Sequence, residues 1–264
     1  MNYKKILITG SGTGLGYMVA LELARRGHKI IATALYDEEV KKINEYAIKN
    51  NLDIKSFKLD ITKEEDRNKI LEYDFDVLIN NAAIGDSGSI CEIPIENFKN
   101  VFETNVYSNI LITQTAFKKF VNKGIGRIIF ISSLTGRVAM PFLAPYSSSK
   151  FAIEGMVEAL RLETKLINDA KIDVCLIEPG AYATGFNSEN NGKMYTWITE
   201  NSYFYKNIAK IKKIQTKIWN LIESKNFKSI IKKYVRAVES KHLKFRYKAP
   251  LIQAIIVKLA LLFK

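Results

Sequence analysis

Cysteine is nearly missing from this chain. Cys91 and Cys175 are the only two in 264 residues, which excludes a disulfide framework and any cysteine-based metal spacing. They suit a reducing compartment and are expected to be small buried apolar residues. Histidine is equally scarce. His28 and His242 read as surface or packing residues, and no metal site is expected. Five prolines and 14 glycines are too few for a collagen-like or low-complexity chain. No apolar run reaches the roughly 18 residues of a spanning helix. The opening MNYKKILITG is too short in apolar residues for a secretory signal and reads as a first strand.

What is present is ordinary globular material, 47% hydrophobic and 25% charged. A folded chain of this length buries roughly 70–75% of its unfolded surface, so it needs no metal or disulfide to hold together. The charge is unevenly placed. Residues 1–200 carry 24 basic and 25 acidic side chains, whereas residues 201–264 carry 16 and 2. The first part looks like a neutral soluble enzyme. The last quarter is strongly basic, a pattern that nucleic acid, anionic lipid or solubility each explain. Nucleic acid is the weakest of these, because the charges lie among Ile, Leu and Phe in helical patterns and no recognition motif appears.

Apolar β-branched runs near 5–9, 29–34, 54–60, 76–81, 127–132 and 172–177 read as strands. Helical patterns near 15–26, 38–50, 63–72, 95–122 and 146–168 separate them. Continuous apolar strands alternating with helices predict a doubly wound parallel α/β sheet, the Rossmann type, with ligands at the carboxyl ends of the strands. After Gly180 the rhythm breaks. Residues 181–240 are mostly helical and basic and are expected to hold a substrate lid, 242–247 reads as one more strand, and 249–264 is an apolar tail. No linker or repeat divides the chain, so residues 1–264 are expected to form a single domain.

Thr9-Gly10-Ser11-Gly12-Thr13-Gly14-Leu15-Gly16 joins the first strand to the first helix. Glycines there let the backbone turn tightly and approach a pyrophosphate, whose charge the helix N-terminus stabilises. The spacing is TGxxxGxG rather than GxGxxG, so the loop alone also fits a plain tight turn. Further on, Tyr146 and Lys150 stand at i and i+4 of a predicted helix, on one face. Chance supplies one or two such pairs in a chain of this composition, and a solvated helix face is the plain alternative. Ser133 lies just past a strand end, 13 residues before Tyr146, and Asn105 lies in an earlier helix.

Together these residues resemble the short-chain dehydrogenase/reductase family. The motifs that carry the resemblance are TGSGTGLG at 9–16, LDIT at 59–62, NNAA at 80–83, Asn105, ISS at 131–133, YSSSK at 146–150 and EPG at 178–180. They occur in family order and span most of residues 3–184.

The resemblance implies an NAD(P)-dependent enzyme that interconverts an alcohol and a carbonyl. Tyr146 would exchange the proton, which requires its pKa of about 10 to fall towards the working pH. Lys150, helped by the oxidised nicotinamide charge, would favour the phenolate and hold the nicotinamide ribose. Ser133 would bond the substrate oxygen. Asn105 would kink its helix and hold a water in a relay to Lys150. Gly10, Ser11, Thr13, Gly14, Leu15 and Gly16 would cradle the pyrophosphate. Asp60, with Ile61, would contact adenine, although Asp60 also suits a helix cap. Asn81 and Ala82 would line the cleft, and Pro179, Gly180 and Thr184 would touch the nicotinamide amide and phosphates. Ala83 departs from the family's usual glycine.

The choice between NADP and NAD turns on the second strand end. An acid there binds the ribose 2′-hydroxyl and repels a 2′-phosphate. The sequence has Ala34, Leu35 and Tyr36 instead, and Asp37, Glu38 and Glu39 read as the cap and first turn of a helix. The missing acid leans towards NADP. The family's NADP-type arginine is missing too, since Leu35 stands where it is often found.

Tyr182, Phe186, Tyr195, Trp197, Tyr203, Phe204 and Tyr205 form an aromatic set that either walls an apolar pocket or packs a lid. EPGAYATGF resembles members acting on lipophilic alcohols, among them 17β-hydroxysteroid dehydrogenase-like enzymes. A sterol-like, lipid-like or aromatic substrate is expected; a non-catalytic nicotinamide-binding regulator is the alternative. Family membership also implies a homo-oligomer, dimer or tetramer. For the tail LIQAIIVKLALLFK two readings stay open: packing on protein, or shallow insertion into an anionic membrane surface. A helix of 14 residues is about 21 Å long and cannot span a bilayer. The expected location is the cytoplasm, with peripheral membrane contact through the tail.

Overall fold

The computed structural model describes residues 3–262. The apolar runs form β1 (Lys5–Ile8), β2 (Lys29–Ala34), β3 (Ile54–Lys58), β4 (Val77–Asn80), β5 (Ile125–Ile131), β6 (Lys171–Pro179) and β7 (Arg246–Ala249). The helices, in chain order, are α1 (Gly14–Arg25), α2 (Asp37–Lys49), α3 (Glu64–Asn68), α4 (Ile95–Phe102), α5 (Ser108–Lys123), α6 (Ala144–Glu163), α7 (Phe186–Gly192), α8 (Met194–Trp197), α9 (Ile208–Ile222), α10 (Lys228–Glu239) and α11 (Leu251–Leu262). The sheet order is β3-β2-β1-β4-β5-β6-β7, with parallel pairing throughout.

Both faces of the sheet are covered, so odd and even strand positions must be apolar alike. Ile6 and Ile8 of β1 face one core and Leu7 faces the other; Val77, Ile79 and Leu78 of β4 divide in the same way. Val19 and Leu23 of α1, Ile43 of α2 and Ile230 and Tyr234 of α10 close the first core. Ile112, Ala116 and Phe120 of α5 close the second with Ile153 and Val157 of α6. Each such side chain contributes about 1.5–3 kcal/mol by leaving water. The direction of winding reverses between β1 and β4. That reversal opens a crevice at their carboxyl ends, where such sheets bind ligands.

Several expectations change in detail. The helix expected at 95–122 is two helices joined by a π-helical turn, Glu103–Tyr107. The extra strand begins at Arg246 and pairs with β6, so the basic quarter is built into the same sheet. The lid is narrower than residues 181–240, because α10 belongs to the core: its Ile230, Tyr234, Ala237 and Val238 are buried. Cys175 is buried, but Cys91 is exposed, because it lies in the loop after β4 and not in a strand.

The tail forms α11, where Ala254 is the one buried residue among those described. Leu251, Ile252, Ile256, Leu259 and Leu262 are exposed. The last two residues of the tail, 263 and 264, lie outside the described residues.

Candidate active site

The crevice is a cleft of about 860 Å³. Its floor is stitched by Thr9 and Asn81, which follow β1 and β4. Thr9 Oγ1 accepts from the Asn81 and Ala82 N–H groups at 3.0 and 2.9 Å. Asn81 Nδ2 donates to the Thr9 and Gly10 carbonyls at 2.9 Å, and Tyr234 donates to Asn81 Oδ1 at 3.2 Å. This close approach requires glycine at position 10. Its φ is +64°, and a Cβ added there would stand 2.8 Å from Ala82 Cα.

A dinucleotide fits this floor. Helix α1 begins with no side-chain cap and no acid in its first turn, so its leading N–H groups are left for an anion. Gly14 holds φ +58°, and a Cβ there would come 3.7 Å from Thr184 Cβ. Thr184 therefore faces the glycine loop across the cleft. Gly10, Thr13, Gly14, Leu15, Gly16, Asp60, Ile61, Asn81, Ala82, Pro179, Gly180 and Thr184 all line the cleft.

Ser11 does not line it. The fold turns this residue inward: its N–H donates to Thr33 O at 2.6 Å and its hydroxyl to Ile8 O at 3.1 Å. Asp60 holds its own turn, with Oδ1 accepting from Thr62 N–H and hydroxyl at 2.9 and 2.7 Å. It is not the cap of α3, a position held by Lys63.

The catalytic candidates meet at the other end of the cleft. Pro145 at the start of α6 suits the first turn of a helix, and the helix presents Tyr146 and Lys150 one turn apart. Ser133, past the end of β5, stands beside the Tyr146 hydroxyl. Its own Oγ donates to Pro179 O at 3.4 Å and accepts from Thr135 N and Oγ1 at 3.1 and 2.9 Å. Lys150 is buried; its Nζ donates to Ile131 O at 2.9 Å and lies 5.5 Å from the Tyr146 ring centre.

Burial pushes the Lys150 ammonium down to about 7, against the pull of Glu154. It pushes the Tyr146 phenol up to about 12, against the lowering effect of the neighbouring Ser133 hydroxyl. In the chain alone Tyr146 is therefore protonated rather than shifted towards phenolate. That is the state needed to give a proton to a carbonyl.

Asn105 stands behind the wall. It occupies the π-helical turn, fully buried, and clasps Ile84: its Oδ1 accepts from Ile84 N at 2.9 Å and its Nδ2 donates to Ile84 O at 2.8 Å. Nδ2 also reaches Ser149 Oγ at 3.0 Å. The π-helical turn interrupts the helix at Asn105, and the side chain is committed to the backbone beside NNAA.

Two site features escape sequence reasoning. Ala34 is buried in the core, so the positions after β2 that reach the cleft are Leu35 and Tyr36. Glu39, one turn into α2, also lines the cleft and lays its carboxylate against Gly12. A first helical turn gives no sign of that reach. The aromatic set mostly does other work: only Tyr182 and Phe186 of the seven line the cleft. Trp219 and Ile222 of α9 and Val257 of α11 stand there too, brought in by tertiary packing from more than 30 residues further on.

A parallel sheet with a glycine turn at its switch point and a Ser–Tyr–Lys group at the far end defines a dinucleotide-dependent class of oxidoreductase. The comparisons make it particular. The short chain dehydrogenase family model matches residues 4–194, and the chain belongs to the short-chain dehydrogenase/reductase family as one of its oxidoreductases.

The Bacillus subtilis oxidoreductase YusZ is 34% identical over 221 residues, covering 80% of this chain and 76% of that protein. The 3-ketodihydrosphingosine reductase of Bacteroides thetaiotaomicron is 30% identical over 257 residues, covering 96% and 90%. Among solved structures, a Burkholderia phymatum short-chain dehydrogenase/reductase in complex with NAD superposes with a TM-score of 0.82 at 17% identity, over 98% of this chain and 92% of that one. That likeness supports the fold.

Proposed function

We propose that this protein is a carbonyl reductase, working with NADP or NAD on an apolar, lipid-like ketone or on the corresponding alcohol. The observation that carries the reading is the junction of Ser133, Tyr146 and Lys150 with the glycine-floored crevice in one cleft. The glycine floor would hold a dihydronicotinamide cofactor, which would supply the hydride for the carbonyl carbon. The chain does the rest. Ser133 Oγ holds the carbonyl oxygen beside Tyr146. Tyr146 Oη gives that oxygen its proton, so C=O becomes CH–OH, and the reverse transfers oxidise the alcohol. Lys150 returns a proton to the tyrosine and would hold the ribose hydroxyls of the cofactor. Asn105 fixes Ile84 and the π-helical turn behind them, the place of the family's relay water. Orientation by these fixed groups contributes much of the rate.

The lipid-like substrate is supported by the apolar wall of Val138, Met140, Leu143, Trp219, Ile222 and Val257. It is also supported by relatives named for 3-ketodihydrosphingosine and for 3-oxoacyl groups on acyl carrier protein. No helix among the described residues is long and apolar enough to cross a membrane. We place the protein in the cytoplasm, with the exposed apolar face of α11 against an anionic membrane surface. The basic side chains of α9 and α10 add about 1 kcal/mol each close to such a leaflet. Exposed Tyr107, Leu111, Phe151 and Leu162 around α5 and α6 suit a homo-oligomer contact.

The experiment is a panel of long-chain ketones and alcohols with NADH and NADPH, followed at the nicotinamide absorbance. Turnover with at least one ketone is expected. Tyr146→Phe is expected to remove about 10³-fold of it while leaving cofactor affinity within threefold. Substantial turnover in that variant overturns the assignment.

A further inference from the structure

The segment from Ile84 to Gly88 is tied down from every side. Asn105 clasps Ile84. Gly85 N donates to Asn190 Oδ1 at 3.1 Å, and Lys193 Nζ donates to Gly85 O at 2.8 Å. Ser87 Oγ is held by the Asn190 and Asn191 carbonyls at 2.9 and 3.1 Å and by Met194 N at 3.1 Å. Gly88 N donates to Phe142 O at 2.8 Å, and Gly88 bridges to Leu143, three residues before Tyr146. A backbone fixed this firmly aims its side chains at defined places. Ser87 faces protein. Asp86 faces the cleft.

Asp86 is 8% exposed. Its hydrogen bond is to the N–H of Ser87, 2.7 Å from Oδ1, and among the described residues no cation stands within 4.0 Å of its carboxylate. Lys193 is nearby on the cleft wall, but its ammonium is engaged by the Gly85 carbonyl. A carboxylate that lines a cleft without a counter-charge keeps acceptor positions to spare, and the fold spends eight surrounding hydrogen bonds on holding it there. Beside it, Asn191 Nδ2 is buried without a partner and Asn191 lines the same cleft. A carboxylate with acceptor positions open to the cleft suits a cationic donor. At the other end of the apolar wall, Trp219, Ile222 and Val257 lead out to the exposed faces of α9 and α11.

We propose that Asp86 is a substrate-recognition residue: it takes a primary ammonium carried close to the reacting carbonyl of an amphiphilic amino ketone, whose alkyl chain runs out past Trp219 and Val257. The proposal rests on the carbonyl reductase reading and adds the head-group chemistry to it. Asp86 acts in binding and moves no proton.

The test compares a long-chain 2-amino-3-ketone with the 3-ketone of the same length lacking the amine. The wild type is expected to show a kcat/KM about 30-fold higher for the amino ketone, the size of a charge-assisted hydrogen bond in a buried site. This arm needs no variant to fold. Asp86→Asn keeps an oxygen for the Ser87 N–H. It is expected to lose most of that preference and to leave the plain ketone within threefold.

Calorimetric binding of the long-chain 2-amino alcohol to enzyme loaded with NADP or NAD gives a reading independent of turnover. Asp86→Asn is expected to weaken that binding about 30-fold. If neither ketone turns over but the amino alcohol binds through Asp86, the reductase reading fails and the head-group site stands. If both ketones turn over equally in the wild type, or Asp86→Asn lowers both alike, the site is overturned while the reductase reading stands. Weaker binding of oxidised than of reduced cofactor by Asp86→Asn overturns it too, since the carboxylate would then face the nicotinamide.

Discussion

Residues 3–180 put their apolar side chains on both faces of a parallel sheet, whereas α9 and α11 hold theirs out to solvent. Ile6, Leu7 and Ile8 are fully buried; Leu221 is 82% and Ile252 74% exposed. No described residue of α9 is buried, and Ala254 is the one buried in α11. The same residue types therefore serve two purposes. In the body they hold the fold together and position the glycine floor and the Ser–Tyr–Lys group. In the last quarter they leave an apolar surface beside basic side chains, at the mouth of the cleft. A patch of that kind marks contact with something other than water.

The comparison breaks if the two regions share one role. The largest effect after the loss of Tyr146 belongs to α11. Ile252→Glu combined with Ile256→Glu is expected to reduce sedimentation with anionic vesicles by about 100-fold, since two buried side chains are lost and two repelled charges added. Turnover of a short water-soluble ketone is expected to stay within twofold. A full-length protein that stays in the supernatant at low salt refutes the membrane contact. Monomeric or insoluble variants would instead make the tail an assembly element.

In the body, Gly10→Val is expected to weaken cofactor binding about 30-fold in direct titration. The new side chain must adopt a positive φ and push Ala82 off the floor. Unchanged affinity would mean that the floor is not where the dinucleotide lies.

Lys150 sharpens the contrast through pH. Its folded pKa, about 7, lies below its ordinary 10.5. Between those values the unfolded chain binds a proton that the folded one lacks, so stability rises with pH across that window and is lost as pH falls towards 7. The slope approaches 1.4 kcal/mol per pH unit at most. Lys150→Met is expected to remove it, measured by denaturant unfolding at pH 7.5 and 9.5. Tyr146, raised by burial to about 12, changes stability only above pH 10 and leaves the window clear. Equal slopes in the two proteins would show Lys150 to be charged when folded.

The smallest effect concerns the cofactor. Glu39 lies against Gly12 and lines the cleft with Leu35 and Tyr36, where a carboxylate would oppose a 2′-phosphate. Glu39→Gln is expected to raise the affinity for NADP relative to NAD by about two- to fivefold, the range of a partly exposed charge interaction. An unmoved ratio leaves Leu35 and Tyr36 as the determinants.

Much of the body was legible because its signals are local. Strand runs, the glycine spacing and the i,i+4 pair at Tyr146 and Lys150 are each written within a few residues. Asn105 was read as a relay residue, but its clasp on Ile84 was not legible, because that bond joins positions 21 apart. Ser11 was read as a cofactor contact because it sits within the glycine motif. Its orientation depends on Thr33 of a neighbouring strand. The pocket wall was the least legible part. Of the aromatic set at 182–205 only Tyr182 and Phe186 line the cleft, and Trp219, Ile222 and Val257 complete the wall.

By itself the sequence determined the alternation of strands and helices, the glycine turn, the i,i+4 pairing of Tyr146 with Lys150 and the charge contrast of the last quarter. Each depends on residue type and spacing along the chain. Tertiary structure alone decided that Ala34 turns inward while Glu39 reaches Gly12, that α10 joins the core, and that Asp86 is held unpaired in the cleft. It decided them because burial, and with it the charge state of Lys150 and Tyr146, depends on what distant segments pack around a side chain. Spacing along the chain carries no record of those neighbours.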